Sequence, residues 1–103
     1  GKPFFTSRIS KIYHTGVCMY NTIAMSYDGI ENPEDIFTSI EHKMRANFIK
    51  NGGSISHHHG VGKLRKDFMF DTLSEGSIEM IQGIKKAQDP DNVFGVKNNI
   101  VLD

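Results

Sequence analysis

Three consecutive histidines, His57, His58 and His59, lie between the glycine pairs Gly52-Gly53 and Gly60-Val61-Gly62 and run into Lys63. Imidazole accepts or gives a proton near neutral pH, binds metal, or hydrogen-bonds an anion. Glycine brings backbone close to a ligand and adopts positive φ, so this stretch shapes a loop rather than filling a core. If the loop is extended, alternate side chains point to opposite sides. That predicts His57 and His59 on one side and His58 on the other. Lys63, Arg65 and Lys66 follow at the start of a short helix. Cations at a helix start oppose its dipole, so this stretch reads either as a solvated basic turn or as a seat for an anion. The spacing bears on two other chemistries. A phosphate-binding loop fails, because His57 stands where its first glycine belongs and Leu64 where Ser or Thr belongs. Zinc would have to take His57 and His59 with a third ligand from elsewhere, and neither a Cys pair nor a His-Glu-x-x-His helix supports it. Hydrogen-bonded imidazoles with a purely structural role remain the plain alternative.

The second chemical group is Tyr20, on an alternating stretch from Val17 to Tyr27. One face carries Val17, Met19, Ile23, Met25 and Tyr27 and is expected to be the core face. The other carries Cys18, Tyr20, Thr22, Ala24 and Ser26. A tyrosine among small neighbours either lines a cavity or anchors a closely packed partner.

The elements that must hold these groups follow from local signals. Residues 1–8 form a polar and aromatic lead-in, followed by a strand from Arg8 to Tyr13 and a turn at His14-Thr15-Gly16. Asn32 as N-cap, Pro33, Glu34 and Asp35 open a helix whose apolar stripe is Ile36, Ile40, Met44 and Phe48 with Phe37 beside it. Asn51-Gly52-Gly53 stops it, so the histidine loop leaves from a helix end. The short helix from Lys63 to about Phe70 turns Leu64 and Phe68 inward. Ser74-Glu75 opens another helix with Ile78, Ile81 and Ile84 on its buried side, ended by Asp89-Pro90-Asp91-Asn92. The tail from Val93 to Ile100 reads as a docked extended segment. The whole, residues 1–103, is α+β: antiparallel strands flanked by helices. Two strands do not make a stable sheet alone, so further strands are expected from a longer chain.

The totals bound the partners. Twelve Lys plus Arg balance twelve Asp plus Glu, so no net charge draws the chain to nucleic acid or an anionic membrane. The single Cys18 has no partner for an internal disulfide and is expected to be a small buried residue. No apolar run approaches the ~20 residues of a membrane span. The final Val101-Leu102-Asp103 is not a Ser-Lys-Leu peroxisomal address.

The stretch from Gly52 to Lys66 closely resembles the histidine loop of the alkyldihydroxyacetonephosphate (alkylglycerone-phosphate) synthase family, flavoenzymes of ether-lipid synthesis among the vanillyl-alcohol-oxidase-like FAD-linked oxidases. Ser7-Arg8-Ile9 and Gly16-Val17-Cys18-Met19-Tyr20 resemble that family's preceding strands, and Asp89-Pro90-Asp91-Asn92-Val93-Phe94-Gly95 its closing motif. In the wider family the comparable loop reads Gly-Glu-His-Gly, which His59 matches and His57 and His58 do not. That departure favours the synthases over 2-hydroxyacid dehydrogenases. The resemblance implies the C-terminal part of a cap domain, with the FAD-binding domain outside this chain. It implies exchange of the acyl group of acyl-dihydroxyacetonephosphate for a fatty alcohol, through a flavin N5 adduct and without net redox change. Tyr20, His58 and His59 match catalytic positions, with His57, Arg8, Lys63 and Arg65 as candidates for substrate or flavin contact. A peroxisomal homodimer with peripheral membrane attachment completes what the resemblance implies.

Overall fold

The computed structural model describes residues 2–95. It contains a β-hairpin followed by helices, which bears out the α+β reading. The chain divides into two compact units, the first ending at Phe37 and the second beginning at Thr38.

The first unit is built on the hairpin of β1 (Phe4–Tyr13) and β2 (Gly16–Ala24), antiparallel and closed by His14-Thr15 between the paired Tyr13 and Gly16. The lead-in is therefore already strand, and β2 stops three residues short of Tyr27. Pairing decides both limits, since a residue is strand only while a partner stands opposite, and Phe4 opposite Ala24 is the last pair. Register slips at Ser10: Ile9 pairs with Met19 and Lys11 with Cys18, so Ser10 is bulged, its hydroxyl donating to the Cys18 carbonyl at 3.2 Å.

The expected core face is corrected in the first half of β2, where Val17 and Met19 are each 51% exposed while Cys18 on the other face is buried and Tyr20 half-buried. Further on, Ile23 and Met25 of the expected face are half-buried and Thr22, Ala24 and Ser26 are exposed. Alternation says which residues share a face; it does not say which face is covered. With Phe5, Ile9 and Ile12 from β1, the exposed face is largely apolar, interrupted by the hydrogen-bonded pair of Ser7 and Asn21.

Helix α1 (Pro33–Lys50) starts where expected. The Asn32 carbonyl accepts from the Ile36 amide at 3.4 Å, as an N-cap does, but Asn32 sits at φ 52° rather than in extended backbone. Asparagine tolerates that region better than most residues. The stop is a Schellman motif: the Gly53 amide donates to the Phe48 carbonyl at 2.8 Å and the Gly52 amide to the Ile49 carbonyl at 2.9 Å, with Gly52 at φ 82°.

The second unit's core is Ile55, Phe68, Met69 and Ile78, with Ile49, Val61 and Leu73 packed against it. The expected helix after the loop is broken into α2 (Gly62–Arg65), a 3₁₀ turn at Lys66–Phe68 and α3 (Met69–Thr72). Phe68 is buried, but Leu64 is 55% exposed. Tightening from 3.6 to 3.0 residues per turn breaks the i, i+4 alignment that would have turned both inward.

Helix α4 (Glu75–Gln88) is capped by the Ser74 hydroxyl, which accepts from the Ser77 amide at 3.3 Å. Of its three isoleucines Ile78 is buried, whereas Ile81 is exposed and Ile84 more so. Each three-residue step falls about 60° short of a full turn, so two steps carry Ile84 about 120° off the core direction.

The tail is held differently from expectation as far as it is described. Val93 and Phe94 expose their side chains, while their amides donate to the Asp89 carboxylate at 2.8 and 2.9 Å. The rest of the expected segment, to Ile100, lies outside the described residues. Among the described residues no helix is long and apolar enough to cross a membrane.

Candidate functional site

The histidines form an exposed crest between two core residues. Ile55, 7% exposed, sits two residues before His57, and the partly buried Val61 sits two after His59. Burying an isoleucine against Phe68, Met69 and Ile78 contributes about 1.5–3 kcal/mol, enough to pin the loop's first limb. Arg45 adds a second tie from α1: one guanidinium nitrogen donates to the Ile55 carbonyl at 3.4 Å while the other pairs with Glu41. The Ser54 hydroxyl donates to the Ser56 carbonyl at 2.8 Å, bending the backbone before the first imidazole.

That bend overturns the alternating arrangement. Residues 57–59 lie in bends rather than extended backbone, followed by Gly60 at φ 78°, and neighbouring rings touch. The Nδ1 atoms of His57 and His58 are 2.9 Å apart, and the rings of His58 and His59 meet edge-on with centroids 4.1 Å apart. An Nδ1–Nδ1 hydrogen bond needs a hydrogen on one nitrogen and a lone pair on the other, so two imidazolium rings cannot keep it. Consistently, His58 titrates below the ordinary imidazole range. Desolvation by surrounding protein is the largest cause, followed by the charges of His59 and then His57. At neutral pH His58 is therefore a proton acceptor.

The hairpin makes the other group. Arg8 pairs directly with Tyr20 across the two strands, and its guanidinium carbon lies 5.1 Å from the centroid of the Tyr20 ring. This is within cation–π range. Thr6 opposite Thr22 adjoins this pair on one side, and Cys18 opposite Lys11 on the other.

The structure thus gathers Arg8 with Tyr20, and His57, His58 and His59 with one another. Lys63 is exposed on α2, and Arg65 is half-buried with its Nε buried and unpartnered among the described residues. With only four residues, α2 carries too little dipole to make the basic start an electrostatic conflict. Three features escaped the sequence reading. Ile55 is one; the alternation of Ser, Ile and Ser in the loop was its signal. Arg45, on the polar side of α1, left none. The Ser56 hydroxyl is buried and unpartnered among the described residues, one position before His57.

Residues 3–97 match the family described as FAD linked oxidases, C-terminal domain. The chain is 39% identical over 93 residues to an alkyldihydroxyacetonephosphate synthase of Caenorhabditis elegans, covering 90% of this chain and 16% of the relative. It is 36% identical over 89 residues to the synthase of Dictyostelium discoideum, covering 84% and 14%. It is 31% identical over 81 residues to that of Trypanosoma brucei brucei, covering 79% and 13%. The chain thus spans about a sixth or less of the length of these curated relatives.

The family's cofactor can be tested against these residues. The glycine loop at Gly60 and Gly62 opens onto a helix of four residues. A dinucleotide pyrophosphate is held by a longer helix whose first amides and dipole face it. The loop does not fit as that cradle; it offers imidazoles instead.

Proposed function

Because this chain belongs to the FAD-linked oxidase C-terminal domain family, we propose that the protein serves ether-lipid synthesis, exchanging the acyl group of acyl-dihydroxyacetonephosphate for a fatty alcohol. The products are alkyl-dihydroxyacetonephosphate and a fatty acid, with no net redox change, and the setting is peroxisomal. The observation that carries this reading is the crest of three touching imidazoles, set on a core-pinned loop in a chain whose relatives are synthases. FAD, bound by regions outside these residues, supplies the electrophile.

This chain's own residues supply the proton handling. Exchange removes a proton from the substrate carbon, releases a carboxylate and takes in an alcohol that must give up its own proton. His58, neutral at pH 7, is set to accept. His59, in ring contact with it, is set to pass a proton on, and the Tyr20 hydroxyl to hold or donate one. Lys63 and Arg65 are the cations proposed to meet the substrate phosphate.

The test is incorporation of radiolabelled fatty alcohol by the full-length protein. His59→Ala and Tyr20→Phe are each expected to lower turnover by a general acid–base factor, on the order of 10²–10⁴. Flavin content and melting temperature should stay near wild type. Oxidation of a 2-hydroxy acid with an electron acceptor, and no alcohol incorporation, would move the protein to the dehydrogenase branch instead.

A further inference from the structure

Arg8 has a place in the hairpin that a phosphate contact does not explain. It stands opposite Tyr20 in register, with the guanidinium 5.1 Å from the ring centroid. Two positions on, the strand bulges at Ser10 and the register shifts before Lys11 meets Cys18. A bulge raises local twist and re-aims the side chains beside it. The Ser10 hydroxyl holds that irregularity by donating to the Cys18 carbonyl at 3.2 Å. On the opposite face Ser7 donates to Asn21 at 2.6 Å, clamping the strands next to the Arg8–Tyr20 pair. The register is therefore held on both sides of the one cross-strand pair that joins a guanidinium to a phenol. On that face Thr6 and Thr22 lie to one side of the pair and Cys18, opposite Lys11, to the other. The guanidinium lies over one face of the phenol ring, where a planar cation restrains its rotation.

We propose that Arg8 is a positioning residue for Tyr20: its stacked guanidinium holds the ring in the orientation that aims the hydroxyl at the reacting atoms. The inference rests on the reading of Tyr20 as a proton-handling residue, and it makes Arg8 act through Tyr20 rather than on the substrate.

The experiment is a double-mutant cycle in the full-length protein, read as kcat and KM for acyl-dihydroxyacetonephosphate. Arg8→Gln is expected to lower kcat by on the order of 10- to 10²-fold, the scale of misplacing a reacting group by about an ångström, with KM little changed. In the Tyr20→Phe background the same substitution should cost almost nothing further, because there is no hydroxyl left to aim. Arg8→Lys, which keeps the charge but not the planar face, should rescue only in part. A raised KM with kcat intact, or the same loss with and without the Tyr20 hydroxyl, would assign Arg8 to the substrate and overturn the proposal. Near wild-type turnover in Tyr20→Phe overturns it together with the role of Tyr20. A second readout stands apart from activity: 3-fluorotyrosine placed at position 20 and followed by fluorine NMR. Arg8→Gln should release the ring, merging the signals of its two orientations or shifting their ratio. An unchanged spectrum overturns the proposal even if the protein catalyses a different reaction.

Discussion

Three adjacent imidazoles in contact cannot all carry a proton at little cost, and His58 bears the consequence. Its folded value lies below the ~6.5 of an unperturbed histidine, so between the two values the unfolded chain binds more protons than the folded one. Stability from this group is therefore present above pH ~6.5 and is lost as pH falls through the folded value. Proton NMR titration of the ring Cε1–H signals should show His58 titrating below an ordinary histidine. His59→Ala should move it part of the way back, and His57→Ala by less, since desolvation is the largest cause and outlasts either change. A His58 that titrates like a free imidazole would remove the reason for treating it as the acceptor.

Asp89 is the other residue whose ionisation matters. Its carboxylate takes a hydrogen bond from Lys85 and accepts the amides of Phe94 and Val93, which together outweigh desolvation and lower its titration. A depressed carboxylate gives stability that is present above its unfolded value, ~3.9, and is lost as pH falls through the folded one. Asp89→Asn should lower the thermal midpoint at pH 7 more than Asp91→Asn, and the gap between the two variants should close in acid. Equal midpoints at pH 7 would mean the Asp89 turn contributes nothing.

At the scale of elements, the loop's shape depends on how α1 ends. A Cβ built on Gly53 would lie 2.8 Å from the Phe48 carbonyl oxygen, so Gly53→Ala must open the Schellman turn that launches the loop. At Gly52, φ 82° charges any L side chain about 1–2 kcal/mol. Ile55→Ala removes the buried plug before the histidines and should cost about 2–5 kcal/mol, read by denaturant melt. His57, His58 and His59 are exposed and outside the core cluster, and alanine there should leave the melt nearly unchanged. If Ile55→Ala melts like wild type, the loop is pinned by something other than that core.

At the scale of the molecule, the described core is small and much apolar surface is uncovered. Phe5, Ile9, Ile12, Val17 and Met19 on one hairpin face are each more than half exposed. A two-stranded hairpin is marginal in water by itself. Residues 1–103 expressed alone should therefore show rapid amide exchange through β1 and β2. The same amides in the full-length protein, whose relatives are more than six times as long as the matched stretch, should be protected. The isolated segment should also carry no flavin absorbance, because the glycine loop before α2 does not fit as a pyrophosphate cradle. Stoichiometric yellow FAD on residues 1–103 would refute that.

Local chemistry was legible from the sequence wherever its causes lie within a few residues. Pro33 with acids behind it, Ser74 three residues before Ser77, and Asn51-Gly52-Gly53 each set a helix end by satisfying or freeing nearby backbone groups, and each end is where the residues place it. The histidine loop, its glycines and the likeness to FAD-linked oxidases were equally plain, because residue identity carries them. Tertiary structure decided what depends on a partner distant in sequence. Whether the Val17 or the Cys18 face is covered, where β1 begins, and whether Leu64 and Ile84 reach the core are set by neighbours that periodicity does not name. So is the approach of Arg8 to Tyr20, which strand register brings about across twelve residues of chain. The contact between His57 and His58 belongs to the same class: alternation holds for extended backbone, and a loop bent between the buried Ile55 and the partly buried Val61 is free to bring adjacent rings together.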